Sequence, residues 1–260
     1  MSVLYADYPV ASEGSFADFR VRLEPPRSHR RWWQPQVLFE VDGAVIFEPF
    51  PREAALPLFE WGLNWCIAKR SHQFLMLHSA AVEKDGNAIL MPALPGSGKS
   101  TLCAALVNRG WRLLSDEFGL VDSGSGMLVP APRPVPLKNQ SIDVIRRFAP
   151  DATLGPSFPK TRKGTVAHMR APADSVRRMD ERASPRRIIF PRYESDARLS
   201  LEPLPKDLAF LRLANNSFNY QLLGADGFRT VERIVRHCEV HQLTYSDLDE
   251  AIARFDDLTR

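Results

Sequence analysis

A glycine-rich loop followed by lysine and serine carries the clearest chemical signal in the chain. The segment Gly96-Ser97-Gly98-Lys99-Ser100 lies between an apolar run at 88–93 and a run with helical spacing at 99–108. Glycines let a backbone wrap closely around phosphate oxygens, and the amide groups at a helix N-terminus carry partial positive charge. The pattern matches the phosphate-binding loop Gly-x-x-x-x-Gly-Lys-Ser/Thr, with Ala93 at its first glycine position. It therefore predicts a nucleotide phosphate site.

Each residue of this loop has an expected part in binding ATP and Mg²⁺. Lys99 would reach the β- and γ-phosphates, and Ser100 would bind Mg²⁺ through its hydroxyl. The residues predicted to contact the nucleotide in this segment are Pro95, Gly96, Ser97, Gly98, Lys99, Ser100 and Thr101.

Two adjacent acids form the second candidate group. Asp116 and Glu117 end an apolar strand predicted at 111–115, which follows the helix of the loop. We expect both carboxylates to lie beside the loop, in the strand adjacent to it. One can hold Mg²⁺ together with Ser100, and the other can take a proton from an attacking hydroxyl. We predict Asp116 as the metal ligand and Glu117 as the base, and the reverse assignment stays open.

His78 is the third candidate. It lies in the apolar strand predicted at 74–82, just before the hairpin that leads into the loop. A single histidine in an apolar strand is more often a core residue than a catalytic one. The residue types alone therefore leave both roles open.

A basic tract runs from Lys160 to Arg187, where nine lysines and arginines oppose three acids. The segment 160–164 predicts a cationic lid that brings Arg162 and Lys163 to the nucleotide. Lys138 is expected to face the same site. Two other interpretations stay open, a docking surface for an acidic protein and a solvated basic loop.

The run from His78 to Glu117 resembles the catalytic core of HPr kinase/phosphorylase, and more closely the HPr-kinase-related kinases found outside the sugar-phosphotransferase system. In that family a histidine opens the strand before the phosphate loop, and Arg-Gly precedes a strand that ends in two adjacent acids. His78, Arg109-Gly110 and Asp116-Glu117 stand at those positions. The close resemblance covers about 40 residues.

The resemblance implies a catalytic role for His78 and an α/β fold. The implied fold is a P-loop nucleotide-binding core of the HPr kinase and phosphoenolpyruvate carboxykinase type, a mixed sheet with flanking helices. The implied activity is ATP-dependent phosphotransfer to a hydroxyl, with a protein or peptide serine as the favoured acceptor. A small-molecule kinase and a non-catalytic nucleotide switch or slow ATPase stay open as alternatives.

The composition and charge of the chain argue against several classes of protein. The 260 residues are 44% hydrophobic and 25% charged, which is typical of a globular protein, and the net charge of +3 is too small for a nucleic-acid coat. No apolar run approaches the ~18–20 residues of a membrane helix, and the first ten residues lack the pattern of a secretory signal. Three scattered cysteines favour neither a disulfide framework nor a structural zinc site. We expect a cytoplasmic protein that binds neither nucleic acid nor membrane, with self-association left open.

The chain divides by pattern into three regions. We expect strands and a helix packed on the core at 1–70, the nucleotide-binding core with proline-rich and basic loops at 71–200, and helices of the same domain at 201–260. Ser246 has the character of a helix N-cap. Helices are predicted at 52–70, 99–108, 141–148, 207–213, 227–238 and 246–257, and strands at 18–23, 37–41, 44–47, 74–82, 88–93, 111–115, 187–190 and 240–244.

Overall fold

The computed structural model describes residues 1–27, 33, 35–161 and 163–259. The chain forms two compact units, one made of Met1 and Tyr8–Ser71 and the other of Ser2–Asp7 and His72–Arg260. The predicted fold class, α/β with a mixed sheet and flanking helices, is confirmed.

The described residues of the first unit form an antiparallel sheet and one α-helix. Its strands are β1 (Val21–Glu24), β2 (Gln36–Val41), β3 (Ala44–Val45) and β4 (Phe50–Pro51), and β2 pairs with the other three. The predicted hairpin at Asp42-Gly43 is confirmed, and these two residues have the φ values of 50° and 86° that suit a tight hairpin turn. Helix α1 (Ala55–Arg70) approaches β2 so closely that a Cβ at Gly62 would lie 2.2 Å from the ring of Phe39.

The described residues of the second unit form eleven strands in two sheets. An eight-stranded sheet has the order β14-β15-β13-β6-β5-β8-β9, with β7 also paired to β5, and a three-stranded sheet has the order β10-β12-β11. The strands are β5 (Phe74–Lys84), β6 (Asn87–Pro92), β7 (Arg112–Ser115), β8 (Phe118–Asp122), β9 (Leu128–Val129), β10 (Val135–Lys138), β11 (Phe158–Thr161), β12 (Gly164–Met169), β13 (Pro185–Tyr193), β14 (Ser200–Pro203) and β15 (Glu239–Tyr245).

Three neighbouring strands of the large sheet are parallel. β6 pairs with β13, and β13 pairs with β15 along its length, up to Tyr193 opposite Tyr245. The carboxyl ends of β6, β13 and β15 therefore meet at one edge of the sheet, which is where ligands of α/β sheets bind. The glycine loop follows β6 at this edge.

The expectation that Asp116 and Glu117 lie in the strand adjacent to the loop strand is wrong. β7, which leads into these acids, pairs with β5 and not with β6. The reason is that β6 has no free edge, because β5 occupies one side as its hairpin partner and β13 occupies the other. β5 therefore separates the loop strand from the strand of the acids.

Seven helices flank the sheets of the second unit within the described residues. They are α2 (Lys99–Val107), α3 (Gln140–Phe148), α4 (Ala173–Arg177), α5 (Lys206–Asn215), α6 (Tyr220–Leu223), α7 (Ala225–His237) and α8 (Leu248–Asp257). α5 and α7 bury Leu213, Val231 and Ile234 against one face of the large sheet, and α2 and α8 pack on the other face. Among these helices and α1, none is long and apolar enough to cross a membrane.

The start of α8 differs from the prediction. Asp247, and not Ser246, is the N-cap, and its carboxylate accepts a hydrogen bond from the amide of Glu250 at 2.9 Å. The Ser246 hydroxyl instead donates to the carbonyl of Ala197 at 2.8 Å. A hydroxyl with a tertiary partner leaves the capping role to the next suitable side chain.

Residues 158–161 and 164–169, in the region predicted to contain basic loops, form strands instead. β11 and β12 pair in antiparallel orientation, with Thr161 opposite Gly164. Gly164 has a φ of 84°, a value that a tight turn requires and that glycine adopts without strain. Prolines are tolerated in this small sheet because Pro136 lies in β10, an edge strand.

The segment after α5 covers the free edge of β5. Asn219 is buried, its side-chain oxygen accepts from the amide of Met76 at 3.0 Å, and its amide nitrogen donates to the carbonyl of Phe74 at 2.8 Å. The backbones of His78 and Asn216 add a further hydrogen bond of 2.9 Å. These bonds satisfy polar groups of β5 that no strand pairs on that side.

We predict that Asn219→Ala lowers the free energy of unfolding by about 2–4 kcal/mol, because it leaves two buried backbone groups of β5 without partners. Urea denaturation of the wild type and the variant measures the difference. Gln221→Ala, an exposed residue of the neighbouring helix α6, is the matched control and should stay within about 0.5 kcal/mol of wild type. Equal stabilities for Asn219→Ala and wild type would contradict the role of this clamp.

Candidate functional site

The loop between β6 and α2 has the backbone conformation that its glycines permit. Gly96 and Gly98 have φ values of 88° and 86°, in the left-handed region. Ala93, at the position where the full pattern has glycine, is buried directly after β6 and is not among the residues with positive φ. The alanine therefore does not conflict with the conformation of the loop.

Two tyrosines at the ends of β13 and β15 hold this loop. The amide of Tyr193 donates to the carbonyl of Ser97 at 2.9 Å, and the Tyr245 hydroxyl donates to the carbonyl of Gly98 at 3.1 Å. A Cβ at Gly98 would lie 2.5 Å from the Tyr245 Oη, so only glycine fits there. The Ser97 hydroxyl is buried without a hydrogen-bond partner, which leaves it available to a ligand of the loop.

Asp116 and Glu117 occupy a break between β7 and β8. Both strands pair with β5, Ser115 opposite Ala81 and Phe118 opposite His78, and the two acids between them are outside the pairing. The backbone carbonyl of Asp116, which no strand pairing uses, accepts a hydrogen bond from the ammonium of Lys99. The Asp116 carboxylate accepts one from the Ser100 hydroxyl at 2.8 Å. The break therefore connects the acids to the start of α2.

The Asp116 carboxylate is buried and incompletely satisfied. Its Oδ1 has no hydrogen-bond partner, although Oδ2 is bonded to Ser100. Burial raises the pKa of Asp116 to about 6, even though the positive charge of Lys99 opposes the shift. A buried oxygen without a partner beside a serine hydroxyl fits a Mg²⁺ ion, which prefers oxygen ligands and is commonly held by one or two carboxylates together with phosphates.

Glu117 points towards His78, and the Glu117 Oε2 lies 3.9 Å from the His78 Nε2. Burial alone would raise the pKa of Glu117, but the positive charges of Lys99 and Lys138 outweigh it and hold this pKa below its usual value. Burial and the charge of Lys99 lower the pKa of His78, against the attraction of Glu117. At neutral pH the pair is thus an ionised carboxylate beside a neutral imidazole.

Lys138 and Lys163 bring further positive charge to these acids. Both act on the pKa of Glu117, and burial lowers the pKa of Lys138 although Glu117 opposes the shift. Asn139, which follows Lys138, is bonded to the backbone of Lys163 and Thr165. Its side-chain nitrogen donates to the carbonyl of Lys163 at 3.5 Å, its side-chain oxygen accepts from the backbone amide of Thr165 at 3.0 Å, and its backbone amide donates to the carbonyl of Thr165 at 2.9 Å. The β11–β12 turn is therefore tied to the end of β10.

The structure brings most of the predicted site residues together. Lys99, Ser100, Asp116, Glu117 and His78 converge at the end of β7, and Lys138 and Lys163 act on them electrostatically. Pro95, Gly96, Ser97, Gly98 and Thr101 form the loop and the first turn of α2 beside them. Arg162 lies outside the described residues. No cluster of three or more histidine, cysteine, aspartate or glutamate side chains in the described part of the chain could hold a metal ion by itself.

Three aromatic residues near the site were not predicted. Tyr193 and Tyr245 contact the loop, and Phe218, which is 52% exposed, has its ring centroid 5.8 Å from that of His78. Sequence patterns gave no indication of Phe218, since it follows α5 in an irregular segment. The two tyrosines end apolar strands, and only the sheet order brings them beside the loop.

Comparisons with known proteins add no assignment to this geometry. A comparison with models of protein families finds no match, and neither does a comparison with curated proteins. The contacts described above are thus the observations from which a function is inferred.

We predict that Asp116→Asn becomes progressively more stable than wild type as the pH rises from 4 to 7. The folded-state pKa of about 6 exceeds the ordinary value of 3.8, so the wild type binds the proton more tightly when folded. This contribution is complete below pH 3.8 and is lost as the pH rises through 6, and asparagine does not titrate. The difference in the free energy of unfolding should grow by about 2–3 kcal/mol.

Denaturant unfolding of the ligand-free proteins at several pH values measures this difference. The exposed Asp151→Asn variant is the control and should show no such trend. A constant difference between Asp116→Asn and wild type across pH 4–7 would contradict the raised pKa.

Proposed function

We propose that the protein is an ATP-dependent phosphotransferase of the HPr kinase type that uses Mg²⁺ and transfers the γ-phosphate to a hydroxyl. The single observation that carries the proposal is the convergence of Lys99, Ser100 and the unsatisfied Asp116 carboxylate beneath a glycine loop with positive φ at Gly96 and Gly98. Buried charges without full compensation are costly, and a metal–phosphate ligand supplies the missing partners.

The loop and α2 bind the phosphates in this proposal. Backbone amides around Gly96 and Gly98 point at the phosphate oxygens, and the N-terminus of α2 adds partial positive charge. Lys99 leaves the carbonyl of Asp116 and pairs with the β- and γ-phosphates, where it stabilises the charge of the transition state.

Ser100 and Asp116 hold Mg²⁺. The fit rests on the Asp116 Oδ1, which is buried beside the Ser100 hydroxyl and has no protein partner. When bound, the ion neutralises phosphate charge and aligns the γ-phosphate for transfer. Asp116 must be ionised for this role, so the raised pKa predicts that metal binding releases a proton below about pH 6.

Glu117 accepts the proton of the attacking hydroxyl. As the acceptor oxygen forms its bond to the γ-phosphorus, the bond from that phosphorus to the β–γ bridging oxygen breaks, ADP leaves, and the hydroxyl proton passes to Glu117. His78 positions the Glu117 carboxylate from 3.9 Å and stays neutral. Lys138 and Lys163 supply positive charge around the transferring group.

The acceptor approaches from the side of Phe218. This exposed ring packs on His78 and tilts against Phe118 with centroids 4.9 Å apart, so it offers an apolar contact next to the base. A peptide or protein serine has flanking side chains that can cover such a ring, which favours it over a small polar acceptor.

We predict that Lys99→Ala lowers the rate of ATP turnover by about 10²-fold or more, because the variant lacks the buried positive charge that stabilises the transferring phosphate in the transition state. The measurement is ADP formation together with transfer of label from [γ-³²P]ATP in a cell lysate. Lys69→Ala, an exposed lysine of α1, is the matched control and should keep the wild-type rate. Unchanged turnover in Lys99→Ala would overturn the proposed function. If the label appears only in small molecules, the acceptor is a metabolite and not a protein.

We predict that Asp116→Asn and Glu117→Gln separate the metal and base roles. Asp116→Asn should raise the Mg²⁺ concentration for half-maximal turnover at least about tenfold, since a ligand is lost. Glu117→Gln should bind ATP and Mg²⁺ normally while phosphotransfer falls about 10²–10⁴-fold, the usual effect of a general base. Mg²⁺ titrations of both variants, with Asp151→Asn as control, measure this. Exchanged phenotypes would reverse the assignment, and two wild-type rates would exclude the pair from catalysis.

A further inference from the structure

The glycine loop has two unlike sides along the edge of the large sheet. On one side of β6 lies β5, and beyond it the break that holds Asp116 and Glu117. On the other side lie β13 and β15, whose carboxyl ends carry Tyr193 and Tyr245. Lys99 and Ser100 contact Asp116, so the proposed position of the γ-phosphate is on the first side. A ligand held along the loop therefore extends its other end towards the tyrosines.

Tyr193 presents an aromatic surface at that end. Its side chain is 52% exposed, although its backbone amide is bonded to the carbonyl of Ser97. A Cβ at Gly98 would lie 2.7 Å from the Tyr193 Cβ, so the side chain leaves the backbone directly against the loop. Large aromatic side chains bury much apolar area when covered, and an exposed one beside a ligand loop is suited to stacking.

Tyr245 fixes the orientation of this ring. The two tyrosines are opposite each other in the parallel pairing of β13 with β15, and their ring centroids are 5.7 Å apart at an angle of 71°. Tyr245 is buried, and its hydroxyl is engaged with the carbonyl of Gly98. It therefore supports Tyr193 from the protein side, and the solvent-facing surface of Tyr193 is left to a ligand.

We propose that Tyr193 stacks on the base of the phosphate donor, which makes the donor a nucleoside triphosphate and not an inorganic polyphosphate. This inference rests on the proposed phosphate-binding function of the loop and adds the part of the site that contacts the base. Stacking on a tyrosine ring requires only a planar base, so ATP and GTP should both use it.

The test compares two ligands, two variants of Tyr193 and one control variant by titration calorimetry in the presence of Mg²⁺. ATP contains the base, and inorganic tripolyphosphate contains only the phosphates. Tyr193→Ala keeps the Cβ and the backbone amide that bonds to Ser97, and Tyr193→Phe keeps the ring without the hydroxyl. Phe228→Ala, a residue of α7 with 51% exposure, is the matched control for loss of an exposed aromatic ring.

We expect Tyr193→Ala to weaken ATP binding about 10- to 100-fold and to leave tripolyphosphate binding within about twofold of wild type. Tyr193→Phe and Phe228→Ala should bind both ligands as wild type does.

Three results would overturn the inference while leaving the proposed function intact. Equal losses for ATP and tripolyphosphate in Tyr193→Ala would make the tyrosine a support of the loop alone. No loss for either ligand would place the base elsewhere. A loss in Tyr193→Phe as large as in Tyr193→Ala would mean that the hydroxyl, and not the ring, makes the contact. If the wild type binds neither ligand, the proposed function fails and the inference fails with it.

Discussion

The site depends on the burial of a lysine and an aspartate at one point, the start of α2 against the end of β7. Lys99 and Asp116 are both buried, yet Lys99 donates to the carbonyl of Asp116. The Asp116 carboxylate accepts from the Ser100 hydroxyl through Oδ2, and its Oδ1 has no hydrogen-bond partner. Removing two charges from water is costly unless each is paired and hydrogen-bonded. The fold thus holds a buried ammonium and a buried carboxylate that have unused hydrogen-bonding capacity beside the loop. In the proposed function, a phosphate and a metal ion use this capacity.

This arrangement is possible because β5 lies at the centre of the sheet. β7 and β8 continue one antiparallel pairing along it, and only Asp116 and Glu117 leave the pairing. A continuous strand would have used the carbonyl of Asp116 in the sheet and would have pointed the two acids to opposite faces. The break frees that carbonyl for Lys99, and it brings Glu117 to His78, which β5 itself carries.

The parts of the site that are local in sequence could be predicted, and the parts that depend on strand order could not. The glycine loop, Lys99, Ser100 and the acid pair lie within about 20 residues, and their spacing implies the strand–loop–helix geometry. The sequence does not show which strands pair with β6. β7 pairs with β5 because both edges of β6 are already occupied, and this depends on the order of all strands in the sheet. The same limit hid Tyr193 and Tyr245, which lie 95 and 147 residues after Gly98 and approach it only because β13 and β15 extend the sheet beside β6 in parallel. The hairpin at 158–169 was missed because prolines and lysines outweighed its short strands in the pattern.

The electrostatics of Glu117 connect donor binding to proton transfer in the proposed reaction. Its pKa is held low by Lys99 and Lys138, and a carboxylate with a low pKa is a weak base. A bound triphosphate keeps a net negative charge even with Mg²⁺, so it would pair with these lysines and cancel part of the field that stabilises the Glu117 anion. The pKa of Glu117 would then rise towards the value that burial alone favours, and its basicity would increase only when a donor is in place. His78 is among the groups that lower the pKa of Glu117, so its attraction opposes this rise and limits it.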